Sequence, residues 1–319
     1  MQNNVEVCHM TSITENPLAD ELPFGARVTG VSADNVKSES VRAQLRDVFE
    51  RRGVLVFEGM DSSPELQLEL SRVFGPLREH AMKGTPRVDN GAMAVVMDLN
   101  FHPDDADIYE VNGRQLSGWI NWHYDACYTD RLYRAGLLRA IAIPAEGGMT
   151  GFADGIQLYQ AISPALRAKF ENAGIIYHAK LMMINQRFGM PKQFRAIRVR
   201  PGTLNLLAQS ENAPRAIHPA IWTRQSGEKV LHVSPWQAAG IEGHEDPEGD
   251  ALLETLCQEI YARMTPYWHK WQPTDMVIWD NWRFVHAVNG HDPEASRRVH
   301  RVTIEGDYGL GRFESASAH

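Results

Sequence analysis

One stretch of the chain, residues 119–128, contains residue types that bind metal ions. It reads Trp-Ile-Asn-Trp-His-Tyr-Asp-Ala-Cys-Tyr, so His123 and Asp125 are two residues apart. In an extended strand such residues point to the same face, with their Cα atoms about 6.6 Å apart. An imidazole and a carboxylate at this spacing can reach one ion, and a second histidine far downstream would complete the set. Two histidines and one carboxylate leave half an octahedron open, which suits non-haem Fe(II) and O2.

The His-x-Asp pattern alone is weak evidence, because the chain contains it three times. Residues 102–104 include a proline, and residues 244–246 lie among Gly and Pro, so both are typical of loops. Only residues 123–125 lie among aromatic residues of high strand preference. The alternative reading at this position is a histidine that is simply satisfied by a nearby carboxylate.

Two later stretches supply further candidate residues. His286 lies in an apolar, strand-like stretch, where it is either a third metal ligand or a core histidine bonded to the backbone. In the stretch 297–304, strand alternation places Arg297 and Arg301 on one face and Arg298 on the other. Two arginines are costly to bury unpaired, so an anionic ligand inside a barrel would explain them. A solvent-facing strand is the alternative.

Composition limits the class of protein. The chain has 319 residues, of which 43% are hydrophobic and 23% charged, an ordinary globular composition. A net charge of -8 disfavours nucleic-acid binding. No apolar run reaches the about 18 residues of a membrane helix, no signal peptide is visible, and three cysteines form no disulfide or zinc pattern. We expect a cytoplasmic protein that acts on a small molecule, without a membrane or nucleic-acid partner; homo-oligomerisation stays open.

The elements that must position these residues are many short strands and a few helices. Apolar periodicity predicts a helix near residues 41–49, a second after Pro64, and a third near residues 250–264 that is capped by Asp250. Residues 54–57 form a continuous apolar run, which predicts a strand buried on both faces. The pattern favours a mainly β fold with flanking helices, a double-stranded β-helix or jelly roll.

The remaining segments are expected to be irregular. Residues 1–20 are predicted to be loose and residues 185–215 to form a loop. Residues 78–118 are either a lid or substrate loop or a surface insertion. Because the chain shows no internal repeat, linker or composition shift, residues 1–319 are expected to form a single domain.

Four motifs follow one another in an order that matches a known family. They are His123-x-Asp125, then Gly147-Gly148-Met149-Thr150, then Trp279-Asp280-Asn281 ahead of His286, and finally Arg297-x-x-His300-Arg301. Thr150 lies 27 residues after His123, and Arg297 lies 11 residues after His286. Over about residues 20–310 the chain resembles the taurine dioxygenase / 2,4-dichlorophenoxyacetate dioxygenase (TauD/TfdA) family. Members are Fe(II)- and 2-oxoglutarate-dependent oxygenases with a jelly-roll fold.

The resemblance implies roles for five residues. His123, Asp125 and His286 would hold Fe(II), while Thr150 and Arg297 would hold the distal carboxylate of 2-oxoglutarate. The implied reaction uses O2, hydroxylates a small organic substrate and releases succinate and CO2. Hydroxylation next to an oxygen or nitrogen atom would lead to cleavage.

The resemblance also bears on the substrate. Arg301 matches a position that binds the substrate anion in some members, and His80 lies where a substrate-contacting histidine occurs. Lys83 and Trp119 stand where taurine-specific members use other residues, so taurine is not the expected substrate. We expect an anion with an apolar body, such as an aryl acid or an amino-acid derivative, with Trp119 beside it.

Two other functions use the same residues. A zinc-dependent hydrolase could use the same two histidines and aspartate to activate water, but nothing in that chemistry needs Arg297 and Thr150. A non-catalytic jelly-roll module would bind 2-oxoglutarate or another anion without consuming O2. Metal content and O2 dependence separate these alternatives from an oxygenase.

Overall fold

The computed structural model of the chain describes residues 12–80, 84–89, 91 and 93–314. Its strands are β1 (Thr14–Pro17), β2 (Ala26–Thr29), β3 (Val54–Phe57), β4 (Leu77–Arg78), β5 (Val96–Phe101), β6 (Ile108–Val111), β7 (Arg114–His123), β8 (Ala135–Ala142), β9 (Thr150–Asp154), β10 (Gly174–Tyr177), β11 (Phe194–Arg198), β12 (Ala216–Pro219), β13 (Ile221–Thr223), β14 (Lys229–Leu231), β15 (Ala238–Ile241), β16 (Tyr267–His269), β17 (Met276–Asp280), β18 (Phe284–His291), β19 (Arg297–Ile304) and β20 (Arg312–Phe313).

The helices are α1 (Glu39–Arg52), α2 (Pro64–Ser71), α3 (Gly155–Ala161), α4 (Pro164–Phe170), α5 (Pro201–Ser210) and α6 (Pro247–Arg263), with a short 3-10 turn at Met183–Asn185. Searched over the described residues, none of these helices has the length and apolar character needed to span a membrane.

Two large sheets pack against each other to form the core. An eight-stranded sheet has the order β1-β2-β3-β17-β8-β19-β4, with β5 also paired to β19, and a six-stranded sheet has the order β11-β6-β7-β18-β9-β16. Phe152 of the second sheet contacts Trp279 of the first, with 5.8 Å between ring centroids. A four-stranded sheet, β15-β10-β12-β20, adds a further layer. This mainly β architecture with flanking helices confirms the predicted fold class.

Helix α1 shows how apolar spacing builds the flanking layer. Val41, Leu45, Val48 and Phe49 are buried and occupy one side of the helix. The helix ends at Gly53, whose φ of 73° is left-handed and whose N–H donates to the carbonyl oxygen of Phe49. The next residues enter β3 at once, and all four of its side chains are buried, as the apolar run predicts.

Strand register brings distant histidines together. Strand β18 lies between β7 and β9, and His286 stands directly opposite His123 on β7. On its other side, β18 pairs with the strand that begins at Thr150. In the neighbouring sheet, the side chains of Arg297 and Arg301 on β19 are buried, so the predicted inward face of that strand is confirmed.

Two expectations about irregular segments are wrong. Residues 14–17, expected to be loose, form β1 and pair with β2, while residues 1–11 lie outside the described residues. The segment 185–215 contains β11 and α5 rather than a continuous loop. The segment 78–118, expected to be either a lid or substrate loop or a surface insertion, contains β5, β6 and the start of β7. These pieces are partly exposed strands and a short helix, so burial leaves only a weak alternation in their sequences.

The start of α6 also differs from its prediction. The helix begins at Pro247, and the Asp246 side chain caps it by accepting from the Gly249 N–H at 2.8 Å. Asp250, the predicted cap, lies inside the first turn. Proline at the first helical position fixes the start, because its missing N–H is one that a helix leaves unbonded there.

A Cβ atom at Gly136 would disrupt the packing between the sheets. It would lie 2.3 Å from Cη2 of Trp279, whose residue is 1% exposed and has no free space to move into. We expect Gly136→Ala to lower the free energy of unfolding by about 1–3 kcal/mol, measured by chemical denaturation. Gly202→Ala is the matched control, because nothing lies within 4 Å of its added Cβ. Equal losses in both variants would contradict this packing.

Candidate active site

Three side chains from two distant parts of the chain converge between the sheets. His123 Nε2 lies 3.9 Å from Asp125 Oδ1, and His286 Nε2 lies 3.8 Å from Asp125 Oδ2. Potential ligand atoms of the three residues lie within 4.8 Å of one another, and all three residues are buried. In the described part of the chain this is the only such group of three or more. The structure therefore brings together the residues that the sequence singled out.

The backbone turn after β7 places the carboxylate. His123 is the last residue of β7, and Asp125 follows the strand, so the prediction that both lie in one strand is wrong. Ala126 has a φ of 60°, the left-handed region, where the chain turns away from the sheet. The turn carries the carboxylate back toward the two imidazoles.

Asn281 holds this turn from the opposite side of the site. Its Oδ1 accepts from the Asp125 N–H at 2.8 Å, and its Nδ2 donates to the carbonyl oxygens of Asp125 at 3.1 Å and Tyr133 at 3.0 Å. Asn281 is fully buried and lies in the turn between β17 and β18. It thus ties the Asp125 backbone to the strand that carries His286. No role for Asn281 is predicted from the sequence, where its only signal is its place in the motif Trp279-Asp280-Asn281.

The protonation states suit a divalent cation. His123 Nδ1 donates to the carbonyl oxygen of Asn121 at 2.8 Å, which leaves the Nε2 lone pair free to face Asp125. Burial lowers the pKa of both His123 and His286, so both imidazoles are neutral at neutral pH. Burial alone would raise the pKa of Asp125, but its charged surroundings, above all the Arg301 guanidinium, outweigh burial and lower this pKa to about 2. Two neutral imidazoles and one carboxylate are a facial donor set for a metal such as Fe(II).

Arg301 lies against the same carboxylate. Its two terminal nitrogens donate to Asp125 Oδ1 at 3.0 Å and Oδ2 at 2.5 Å. Its guanidinium also stands 5.5 Å from the centroid of the Trp279 ring. The residue is 7% exposed and lines a cavity of about 220 Å³ that reaches His123 and Asp125. A cation therefore stands at the inner end of the cavity, beside the candidate metal site.

The rest of the cavity is largely apolar. Its walls include Met97, Leu99, Phe101, Trp119, Leu206 and Leu207. Trp119 is fixed by ring contacts to Tyr109 and Phe194, at 6.4 and 5.7 Å between centroids. Segment 78–118, expected to be a lid or a surface insertion, supplies one wall, and α5, which was not predicted, supplies another.

Of the other two residues singled out on the substrate side, His80 and Lys83, the structure describes only His80. His80 lines the cavity, and its Nδ1 lies 3.2 Å from Thr85 Oγ1. Lys83 lies outside the described residues.

A second buried cation lies beyond the metal-binding group. The Arg297 Nε donates to the carbonyl oxygen of Gly148 at 3.0 Å, and Nη2 donates to Thr150 Oγ1 at 3.4 Å. Arg297 is 2% exposed, and burial lowers the pKa of its guanidinium to about 10. Within the described residues, no carboxylate forms an ion pair with Arg297. By contrast, Arg298 faces outward and binds Asp98 at 2.8 Å, as the strand alternation predicts.

Comparison with known proteins identifies relatives over nearly the whole chain. The family described as taurine catabolism dioxygenase TauD, TfdA family matches residues 14–303. The α-ketoglutarate-dependent 2,4-dichlorophenoxyacetate dioxygenase of Cupriavidus pinatubonensis is 27% identical over 301 residues, which cover 93% of this chain and 99% of the relative. Pentalenolactone F synthase of Streptomyces arenae is 27% identical over 302 residues, covering 92% and 94%.

A solved structure, a taurine dioxygenase from Burkholderia xenovorans, aligns with a TM-score of 0.65 at 21% identity. The alignment covers 96% of this chain and 97% of that one. At this identity the likeness is evidence for the fold alone, and it agrees with the paired sheets described above.

The contacts of Asn281 generate a test of how the metal-binding group is held. We expect Asn281→Asp to weaken binding of Mn(II) to the protein by about tenfold or more, because the variant loses both N–H donors that fix the turn. Isothermal titration calorimetry with Mn(II) alone measures the effect. Asn172→Asp, at an exposed position, is the matched control for the added charge. Unchanged Mn(II) affinity in Asn281→Asp would show that the turn holds without this side chain.

Proposed function

The chain belongs to the TauD, TfdA family, and from this premise we propose that it hydroxylates a small organic monoanion with an apolar body. It is an α-ketoglutarate-dependent, that is 2-oxoglutarate-dependent, dioxygenase. The observation that carries the proposed substrate is the position of Arg301. Its guanidinium lines the same cavity as His123 and Asp125, and it donates to the Asp125 carboxylate.

Fe(II) is the metal that we assign to His123, Asp125 and His286. Bound there, iron supplies the oxidising chemistry by which R–H, 2-oxoglutarate and O2 become R–OH, succinate and CO2. The chain would contribute two neutral imidazole lone pairs and one ionised carboxylate to the ion. Three protein ligands would leave coordination positions for 2-oxoglutarate and O2.

Arg297 and Thr150 are the residues that we assign to the distal carboxylate of 2-oxoglutarate. A guanidinium buried without an acidic partner is unfavourable unless a ligand supplies the missing charge. Its planar fork can bond both oxygens of a carboxylate, and the neighbouring hydroxyl adds a third donor. Arg297 thereby fixes the orientation of 2-oxoglutarate from the end remote from the metal.

Counting the buried charges favours a substrate with a single negative charge. The site contains one carboxylate, Asp125, and two guanidiniums, Arg297 and Arg301. A divalent ion adds two positive charges, and 2-oxoglutarate adds two negative ones, which leaves one positive charge uncompensated. The other carboxylates lining the cavity are already paired, Asp98 with Arg298 and Asp107 with Arg200. A monoanion bound at Arg301 would make the closed site neutral.

The cavity walls favour an apolar, flat substrate body. Aromatic and branched side chains such as Phe101, Trp119 and Leu206 line the cavity that Arg301 also lines. An aryl or aryloxy carboxylate fits both the charge and the walls, and the 2,4-dichlorophenoxyacetate named for one relative is an acid of this kind. Hydroxylation of the carbon beside an ether oxygen would give a hemiacetal that collapses, so the products would be a phenol and an oxoacid.

Succinate formation tests the proposed reaction. We expect purified protein with Fe(II), ascorbate, 2-oxoglutarate and O2 to form succinate faster when a suitable aryl carboxylate is added than when its uncharged amide is added. Asp125→Ala should remove substrate-dependent succinate formation, because the only carboxylate ligand is lost. Full turnover by Asp125→Ala would exclude the proposed chemistry. Product formation without O2 would also exclude it and would favour a hydrolase.

Arg301 is the residue that tests the charge argument. We expect Arg301→Gln to raise KM for the carboxylate substrate by about tenfold or more, since a buried charge-assisted bond is lost. The KM for 2-oxoglutarate should change much less. Arg298→Gln is the matched control, because that side chain lies on the outward face of the same strand and binds Asp98. If both variants have the same substrate KM, the anion binds elsewhere.

A further inference from the structure

We infer that Trp271 is a positioning residue for 2-oxoglutarate, because its indole N–H fixes the direction in which the Thr150 hydroxyl donates. The inference rests on the proposed role of Thr150 and Arg297 in binding the distal carboxylate. Trp271 belongs to none of the sequence motifs described above. Its link to the site is visible only in the folded chain.

The hydrogen bonds around Thr150 leave its hydroxyl hydrogen available to donate to a ligand. Trp271 Nε1 donates to Thr150 Oγ1 at 3.1 Å, and Arg297 Nη2 donates to the same oxygen at 3.4 Å. A hydroxyl has two lone pairs and one hydrogen. Both lone pairs are engaged, and among the described residues no acceptor takes the hydrogen. The hydroxyl is therefore set as a donor, the form that a carboxylate needs.

Burial makes this orientation consequential. Thr150 is 1% exposed, so water does not readily compete for its hydroxyl. A donor bonded to the oxygen also polarises the O–H group and strengthens the bond that its hydrogen makes to an anion. Without the indole N–H, the hydroxyl is free to rotate and to use a lone pair in place of its hydrogen.

The fold holds the indole rigidly against Thr150. Strand β16 pairs with β9 so that His269 stands opposite Thr150. The His269 ring packs edge-on against the Trp271 ring, with 4.6 Å between centroids. Asp275 Oδ2 accepts from the Gln272 N–H at 2.8 Å and lies 3.1 Å from His269 Nε2, which closes the turn that carries Trp271. These contacts hold the indole N–H in place beside Thr150, so little conformational freedom is lost when it donates.

Packing alone is the competing explanation, since a buried indole N–H usually finds some acceptor. Trp279, in the same core cluster, shows that the fold does not require this: within the described residues its Nε1 has no hydrogen-bond partner. A double-mutant cycle separates the explanations, because an effect that acts through the Thr150 hydroxyl vanishes when that hydroxyl is absent.

The experiment titrates 2-oxoglutarate into Mn(II)-loaded protein without O2, by isothermal titration calorimetry. The proteins are wild type, Trp271→Phe, Thr150→Val and the double variant. We expect Trp271→Phe to raise the Kd for 2-oxoglutarate by about three- to tenfold. Thr150→Val should raise it at least as much, and the double variant should bind no more weakly than Thr150→Val.

Two further variants test whether the effect of Trp271→Phe comes only from lost packing. Trp271→His keeps a ring N–H, because imidazole Nε2 takes the place of indole Nε1 in the five-membered ring, so it should bind 2-oxoglutarate more tightly than Trp271→Phe. Trp268→Phe, on strand β16 just before Trp271 and with its ring 5.4 Å from that of Trp122, should leave Kd unchanged.

The outcomes separate the inference from the function on which it rests. If Trp271→Phe weakens binding equally with threonine or valine at position 150, the effect is packing, and the inference is overturned. An unchanged Kd in Trp271→Phe overturns it as well. If Thr150→Val itself binds 2-oxoglutarate like wild type, the proposed carboxylate site is wrong and the inference fails with it.

Discussion

The candidate site depends on one electrostatic constraint: two guanidiniums are buried there with a single carboxylate. Asp125, Arg297 and Arg301 are each at most 7% exposed. The bidentate bond between Arg301 and Asp125 compensates one pair of charges, while Arg297 has only a carbonyl and a hydroxyl to bond. Burying a guanidinium in this way costs free energy that a core of aliphatic residues would not. Anionic ligands would offset that cost, and the proposed metal, keto acid and substrate monoanion would together bring the site to neutrality.

The fold meets this constraint through ordinary strand geometry. Direct pairing of His123 with His286 across two strands brings two imidazoles to one point without any loop. Alternation along β19 turns Arg297 and Arg301 inward and sends Arg298 outward to Asp98. The one candidate ligand that lies outside regular structure is Asp125, and there Asn281 makes two hydrogen bonds to the Asp125 backbone and a third to the carbonyl oxygen of Tyr133. Strands therefore position most of the site residues, and the buried side-chain amide of Asn281 holds the turn at Asp125.

Much of this site is visible in the sequence because its signals are local. The alternation in residues 297–304 predicts which arginines are buried, and the aromatic setting of His123 separates it from the His-x-Asp pairs in loops. Asn281 and Trp271 could not be assigned, because their contacts join residues more than a hundred positions apart and leave no pattern along the chain. Strand β11 and helix α5 were missed for another reason: their exposed side chains blur the periodicity. At α6, Asp246 and Asp250 are both good caps, and Pro247 decides between them.

The account's central claim is that His123, Asp125 and His286 hold one divalent ion beside a carboxylate bound at Arg297. The most direct measurement is anomalous X-ray scattering at the manganese edge from crystals of the protein grown with Mn(II) and 2-oxoglutarate. The account predicts one strong peak bonded to all three side chains, with density for the keto acid running from that peak to Arg297 and Thr150. A peak bonded to other residues, or keto acid density that leaves Arg297 without a ligand, would contradict it.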